Sequence, residues 1–131
     1  MEFSNNFEKN DKPSDVDFQA FMNKIDFPID NDYLDFIKNH DGAEGLLDGG
    51  IYIMLWRIKD LIEINRSDED LPEWDNYFFI GSDGSDLRYA FDKRDGSIRF
   101  IDLYQLGEVE PENFGTSFNL FLEVLSKKPA L

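Results

Sequence analysis

Few residues in this sequence are of the types that do covalent chemistry, and those present lack companions. His40 is the only histidine and there is no cysteine. A hydrolytic triad needs a base held beside its nucleophile, and one histidine at the expected end of a helix does not supply that arrangement. A protonated imidazole at a helix C-terminus has a simpler role, interacting favourably with the helix dipole. Thiolate zinc sites, disulfides and cysteine nucleophiles are excluded outright, and the lack of cysteine suits a reducing compartment. Carboxylates are so numerous, twenty-eight in 131 residues, that any pair picked as a glycosidase acid and nucleophile is unspecific. The run Asp92-Lys93-Arg94-Asp95-Gly96 has the outline of a calcium loop but carries a basic residue at its third place, so it fails that pattern. Gly42, Gly45, Gly49 and Gly50 sit among acidic residues with no lysine and read as a helix end and loop, not a phosphate cradle. Asp83, Asp86 and a loop carboxylate are the one place where a hard cation would find weak ligands. We expect no catalytic residues, no metal site and no cofactor.

What remains is charge. Thirteen lysines and arginines against twenty-eight aspartates and glutamates give a net charge of −15. Such a surface repels phosphate backbones, which argues against a nucleic-acid partner, and attracts a basic protein, with faster association at low salt. Acidity that only keeps a protein in solution is the plainer alternative. Two acidic stretches are candidates for contact. Residues 66–76 contain Asp68, Glu69, Asp70, Glu73 and Asp75 around Trp74, which either captures a basic side chain or folds back on the core. The second is Gly81-Ser82-Asp83-Gly84-Ser85-Asp86, between the apolar run Phe78-Phe79-Ile80 and the alternating run Leu87 to Asp92. Two glycines and two aspartates able to bond their own backbone make this a tight acidic turn between strands.

The elements that must position these residues follow from periodicity. The polar start, Met1 to Lys12 before Pro13, reads as a flexible leader over 1–13 with no signal-peptide pattern, and no apolar run approaches the roughly 20 residues of a membrane span. Ser14 as N-cap with Phe18, Phe21, Met22 and Ile25 on one face predicts a core-facing helix. After Phe27-Pro28, a cap at Asp30 or Asn31 starts a second helix carrying Tyr33, Leu34, Phe36 and Ile37, which Asp41-Gly42 ends. Ile51 to Trp56, apolar at every position, predicts a central strand covered on both sides, followed by a short helix with Ile58, Leu61 and Ile62. Leu87, Tyr89 and Phe91 point one way and Arg88 and Asp92 the other. Lys93-Arg94-Asp95-Gly96 then turns the chain into a partner strand over Ser97 to Leu103. Leu106 to Phe114 is irregular, and a last helix starts at Thr116 or Ser117, buries Phe118, Phe121, Leu122 and Leu125, and ends with Lys127 and Lys128. The length fits one domain, placed at 14–128.

The order of these pieces resembles the SUKH superfamily, in its Smi/Knr-type branch. The resemblance covers Phe27 to Leu125. It rests on Pro28 before an aromatic helix ending in Asp41-Gly42, a strand running into Trp56, a helix closing on Leu61-Ile62-Glu63-Ile64-Asn65, then Phe79-Ile80-Gly81-Ser82-Asp83-Gly84, a hairpin, and the closing Ser117-Phe118-Asn119-Leu120-Phe121-Leu122 helix. Two extra residues between Pro28 and Tyr33, and Asp41-Gly42 where the family more often has Asn-Gly, depart from the pattern. The resemblance implies an α+β fold with a mixed, mainly antiparallel sheet flanked by helices and no catalytic apparatus. Many bacterial members look like cytosolic immunity proteins that bind and neutralise a cognate toxin, often a nuclease. Because a nuclease domain is basic, an acidic protein can occupy its phosphate-binding surface. The expected partner is thus a basic protein toxin, met through Asp68, Glu69, Asp70, Trp74, Asp75, Asp83 and Asp86, in the cytoplasm, without nucleic acid or membrane. The family's founding name, a regulator of cell-wall glucan synthesis, gives the alternative of a regulatory scaffold.

Overall fold

The computed structural model describes residues 7–66, 75–85, 87–102 and 110–127. Helix α1, Asp15–Lys24, starts as read: the Ser14 hydroxyl accepts from the Asp17 amide at 3.1 Å, and Asp15 and Asp17 sit at the positive end of the helix dipole. Helix α2, Asn31–Asn39, follows Asp30, but the Asp30 side chain does not cap it. That carboxylate instead accepts from the Phe118 amide at 2.6 Å, at the start of α4, Phe118–Lys127. Helix α3, Ile58–Ile64, has no capping side chain of its own at Arg57; Asp41, seventeen residues upstream, accepts from the Ile58 amide at 2.8 Å. Two helix starts are therefore capped by aspartates from elsewhere in the fold, which ties helix placement to tertiary structure.

Seven strands form one open sheet in sequence order: β1 Phe7–Lys9, β2 Ala43–Leu46, β3 Tyr52–Leu55, β4 Tyr77–Ser82, β5 Leu87–Asp92, β6 Ile98–Asp102 and β7 Glu112–Asn113. The fold class is α+β as expected, and every strand pairing among the described residues is antiparallel, with none of the parallel component that a mixed sheet implies. Two segments depart from the sequence reading. The expected leader is not left outside the fold: Phe7–Lys9 pairs with Ala43–Gly45, and Phe7 is buried in the core. The glycine-bearing stretch after Gly42, read as loop, is β2, paired with both β1 and β3.

Alternation along the strands gives the sheet two unlike faces. Ile53, Leu55, Phe78, Ile80, Tyr89, Phe91 and Ile98 meet Phe21, Tyr33, Ile37, Leu61, Phe118 and Phe121 from the helices in one core. The other face carries a smaller cluster of Tyr77, Phe79, Ala90 and Ile101, with Trp56 and Ile64 against it. The strand covered on both sides is β4, all six residues buried, and not β3. In β3 only Ile53 and Leu55 are buried; Tyr52 and Met54 fall on the sparsely covered face, where the Tyr52 hydroxyl donates to the Glu44 carboxylate.

Candidate functional site

The acidic turn after β4 is built from three side chains that replace missing backbone bonds. The Ser82 hydroxyl accepts from the Gly84 amide at 3.0 Å, Asp83 Oδ1 accepts from the Ser85 amide at 3.0 Å and from its hydroxyl, and Ser85 Oγ accepts from the Leu87 amide at 3.3 Å. Its two glycines have different reasons. Gly84 has φ +92°, the left-handed region that glycine takes without strain. Gly81 lies in the strand, beside a register shift between Phe79 and Gly81, and a Cβ there would stand 2.2 Å from the Met54 carbonyl oxygen. Positive φ is thus the role of Gly84, whereas Gly81 is needed for the close approach of β3.

Strand register gathers other carboxylates at this end of the sheet. Met54 opposes Ser82, Leu46 opposes Tyr52, and Leu87 opposes Asp102, so Glu44, Asp83 and Asp102 belong to the same end, with the exposed Asp48 in the connection from β2 to β3. Burial first, then the Asp83 and Glu112 charges, push the Tyr89 hydroxyl well above the usual phenol range, which places both carboxylates in its surroundings. A basic residue, Arg88, belongs to the same end, its guanidinium over Trp56 at 5.5 Å and Phe79 at 5.4 Å.

Of the residues singled out from sequence, Asp83 is half-buried at this turn and Asp75 is exposed just before Tyr77. They flank opposite ends of β4, whose six residues span about 17 Å at ~3.3 Å per residue. Asp68, Glu69, Asp70, Trp74 and Asp86 lie outside the described residues.

Sequence reasoning missed an ionic network on the second face. Asp92, 1% exposed, accepts from Arg94 Nε and Nη2 at 2.9 Å each and from the Arg94 amide, while Arg99 Nε stands 3.8 Å away. Arg99 is itself buried and donates to Ser97 Oγ, the Pro111 carbonyl and Glu110, with Asp95 at 3.5 Å. The signal was present: once Phe91 opposes Ile98, alternation puts Asp92 and Arg99 on one face.

Asp95 carries a pH dependence. Hydrogen bonds from the Ser97 hydroxyl and amide, with the Arg99 charge adding, hold its carboxyl below the usual range. A carboxylate with a depressed folded-state pKa stabilises the fold above its unfolded pKa and loses that contribution as pH falls through the folded value. Asp95→Asn is therefore expected to lower the thermal midpoint at neutral pH, with the gap to the native protein closing below about pH 4. A gap unchanged between neutral and strongly acidic pH would remove Asp95 from the network's energetics.

The other chemical candidates have structural roles. His40 stacks near Phe36, ring centroids 5.7 Å apart, and its Nδ1 donates to the Asn10 carbonyl at 3.0 Å. Among the described residues no three His, Asp or Glu side chains converge as a metal site, and no helix is long and apolar enough to cross a membrane. Residues 12–124, most of the chain, match the SMI1 / KNR4 family (SUKH-1). No curated protein matches the chain significantly.

Proposed function

Since the chain belongs to the SMI1/KNR4 (SUKH-1) family, we propose that it is an immunity protein that binds and neutralises a cognate basic toxin, without catalysis of its own. Members of this family are immunity proteins or Smi1/Knr4-like regulators, and the immunity members bind toxins. The observation that favours the first role is the net charge of −15 together with the carboxylates around the Asp83 turn. A toxin domain that holds phosphates presents the complementary charge, and a nuclease-type domain is the proposed target.

The proposed contact surface has two patches, Asp83 and Asp86 at the turn, and Asp68, Glu69, Asp70, Trp74 and Asp75 before β4. An interface of ordinary size covers about 800 Å² per partner, a patch roughly 30 Å across. One partner can therefore reach from Asp83 to Asp75. The site of action is the cytoplasm, where such a toxin would attack its substrate.

A pull-down from lysate of the source organism, washed at low and then high salt, tests the reading. The expected result is one basic protein that elutes as salt rises and whose toxic activity is abolished when the purified chain is added back. Recovery of wall-synthesis proteins instead would favour the regulator role.

A further inference from the structure

We propose that the cleft between α1, α3, the start of β4 and the end of β5 binds a carboxylate carried on a single apolar ring. It lies at the opposite end of the sheet from Asp83 and is independent of any toxin. Phe21 from α1, Leu61 from α3 and Phe78 from β4 line it, and Lys24, Arg66 and Lys93 bring their chains to the same cleft from three separate elements. In a chain with thirteen basic residues and a net charge of −15, three of them meeting at one partly apolar cleft is a local concentration of positive charge. The Asp83 end lies the length of β4 away, more than the Debye length of about 8 Å at physiological salt, so its repulsion is screened here. The acidic groups nearer the cleft are Glu63, paired with Arg66, and the exposed Asp75, whose neighbour Asn76 accepts from the Lys93 amide.

The size and the state of the lining residues define the ligand. The cavity is about 210 Å³; an apolar cavity of about 150 Å³ accommodates benzene, so one ring with a short acidic arm fits and a larger fused system does not. Lys24 and Lys93 have no ion-pair partner among the described residues; Lys93 Nζ rests over the Phe27 ring at 5.9 Å. Arg66 pairs with Glu63 at 3.2 Å, but both side chains are about 70% exposed, and such a pair yields readily to a competing carboxylate. Asn65, by contrast, is fully engaged: its amide donates to the Leu61 and Phe79 carbonyls and its oxygen accepts from the Phe79 amide at 2.6 Å. It fixes the end of α3 against β4 and holds the cleft open, leaving anion recognition to the three cations. The C-terminal ends of α1 and α3 face the cleft with partial negative charge, about half a unit each, which the two unpaired charges of Lys24 and Lys93 exceed.

A free aryl carboxylate and the C-terminal aromatic residue of a polypeptide share this chemistry. Amide chemical shifts of the full chain are followed by NMR during titration with 3-phenylpropanoate, its neutral amide, and N-acetyl-Ala-Phe with a free or an amidated C-terminus. The expected result is saturable shifts at Lys24, Asn65, Phe78 and Lys93 with both acids at millimolar concentration, and at least tenfold weaker binding of both amides. Tighter binding of the peptide acid would identify a polypeptide end as the ligand, and tighter binding of 3-phenylpropanoate a free small molecule. Lys24→Gln with Lys93→Gln changes two side chains outside the core and is expected to weaken both acids about tenfold while leaving the rest of the spectrum in place. Absence of saturable shifts at these amides, equal binding of acid and amide, or unaltered binding by the double variant would each overturn the proposal.

Discussion

Asp92→Ala is expected to destabilise the fold by about 3 kcal/mol, the cost of leaving the buried Arg99 cation without its buried anion and releasing the exposed Arg94. Asp92 is 1% exposed at the end of β5, and its two oxygens take both Nε and Nη2 of Arg94 as well as the Arg94 amide. Arg99 stands 3.8 Å from the same carboxylate and is 8% exposed. Removing the carboxylate leaves two guanidinium groups facing each other at the edge of the Tyr77 cluster, where Arg94 also donates to the Tyr77 hydroxyl at 3.3 Å. Asp95 and Glu110 still compensate Arg99, but both are largely exposed and do not replace a buried partner. Urea unfolding read by tryptophan fluorescence measures the loss; Asp92→Asn, which keeps an acceptor without the charge, should fall between. A loss below about 1 kcal/mol for Asp92→Ala would mean that the network behaves as solvated surface pairs.

Phe121→Ala is expected to cost about 3–5 kcal/mol, since a fully buried aromatic leaves a cavity its neighbours cannot fill. Phe121 has no exposed surface and packs edge-on against Tyr89 at 5.1 Å and Phe114 at 5.2 Å, with Phe118 at 6.2 Å. It joins α4 to β5 and to the segment after β7. Leu120, its neighbour on the same helix, is 56% exposed, and Leu120→Ala should change stability by no more than about 0.5 kcal/mol. Similar losses from the two substitutions would show that α4 does not pack on the sheet as described.

Helices with a strong apolar period were legible in the sequence, and so was the hairpin turn at Gly96, where φ is +78°. Local chemistry specifies those elements. Strand β1 was not legible because three residues, Phe7–Lys9, carry no periodic signal; what makes them a strand is Ala43–Gly45, more than thirty residues away. Strand β2 was hidden because Glu44 and Gly45 disfavour strands by themselves and are held by pairing on both sides. Ser117, one of the two caps read for α4, accepts from the Leu120 amide at 3.2 Å, whereas the bond from the Phe118 amide to Asp30 spans 88 residues and has no local trace.

The candidate site divides along the same line. Asp83 in its turn was readable, because an Asx bond to Ser85 is a local event. The Asp92 and Arg99 pair went unread, since burial of charged residues is decided by what covers the face. The meeting of Lys24, Arg66 and Lys93 at one cleft depends on α1 lying against α3 and on the register of β4 with β5, neither of which composition reveals.

The most direct test of the immunity reading is the association rate with the toxin recovered by pull-down, measured for the native chain and for Asp83→Lys with Asp86→Lys at low and high salt. Asp83→Asn with Asp86→Asn, which keeps a side-chain acceptor for the turn, separates charge from turn geometry. The account expects association to slow at least tenfold on reversal and by less on neutralisation, with dissociation little altered and the difference shrinking as salt rises. Equal association rates for all three proteins at low salt would contradict recognition through the acidic end of the sheet.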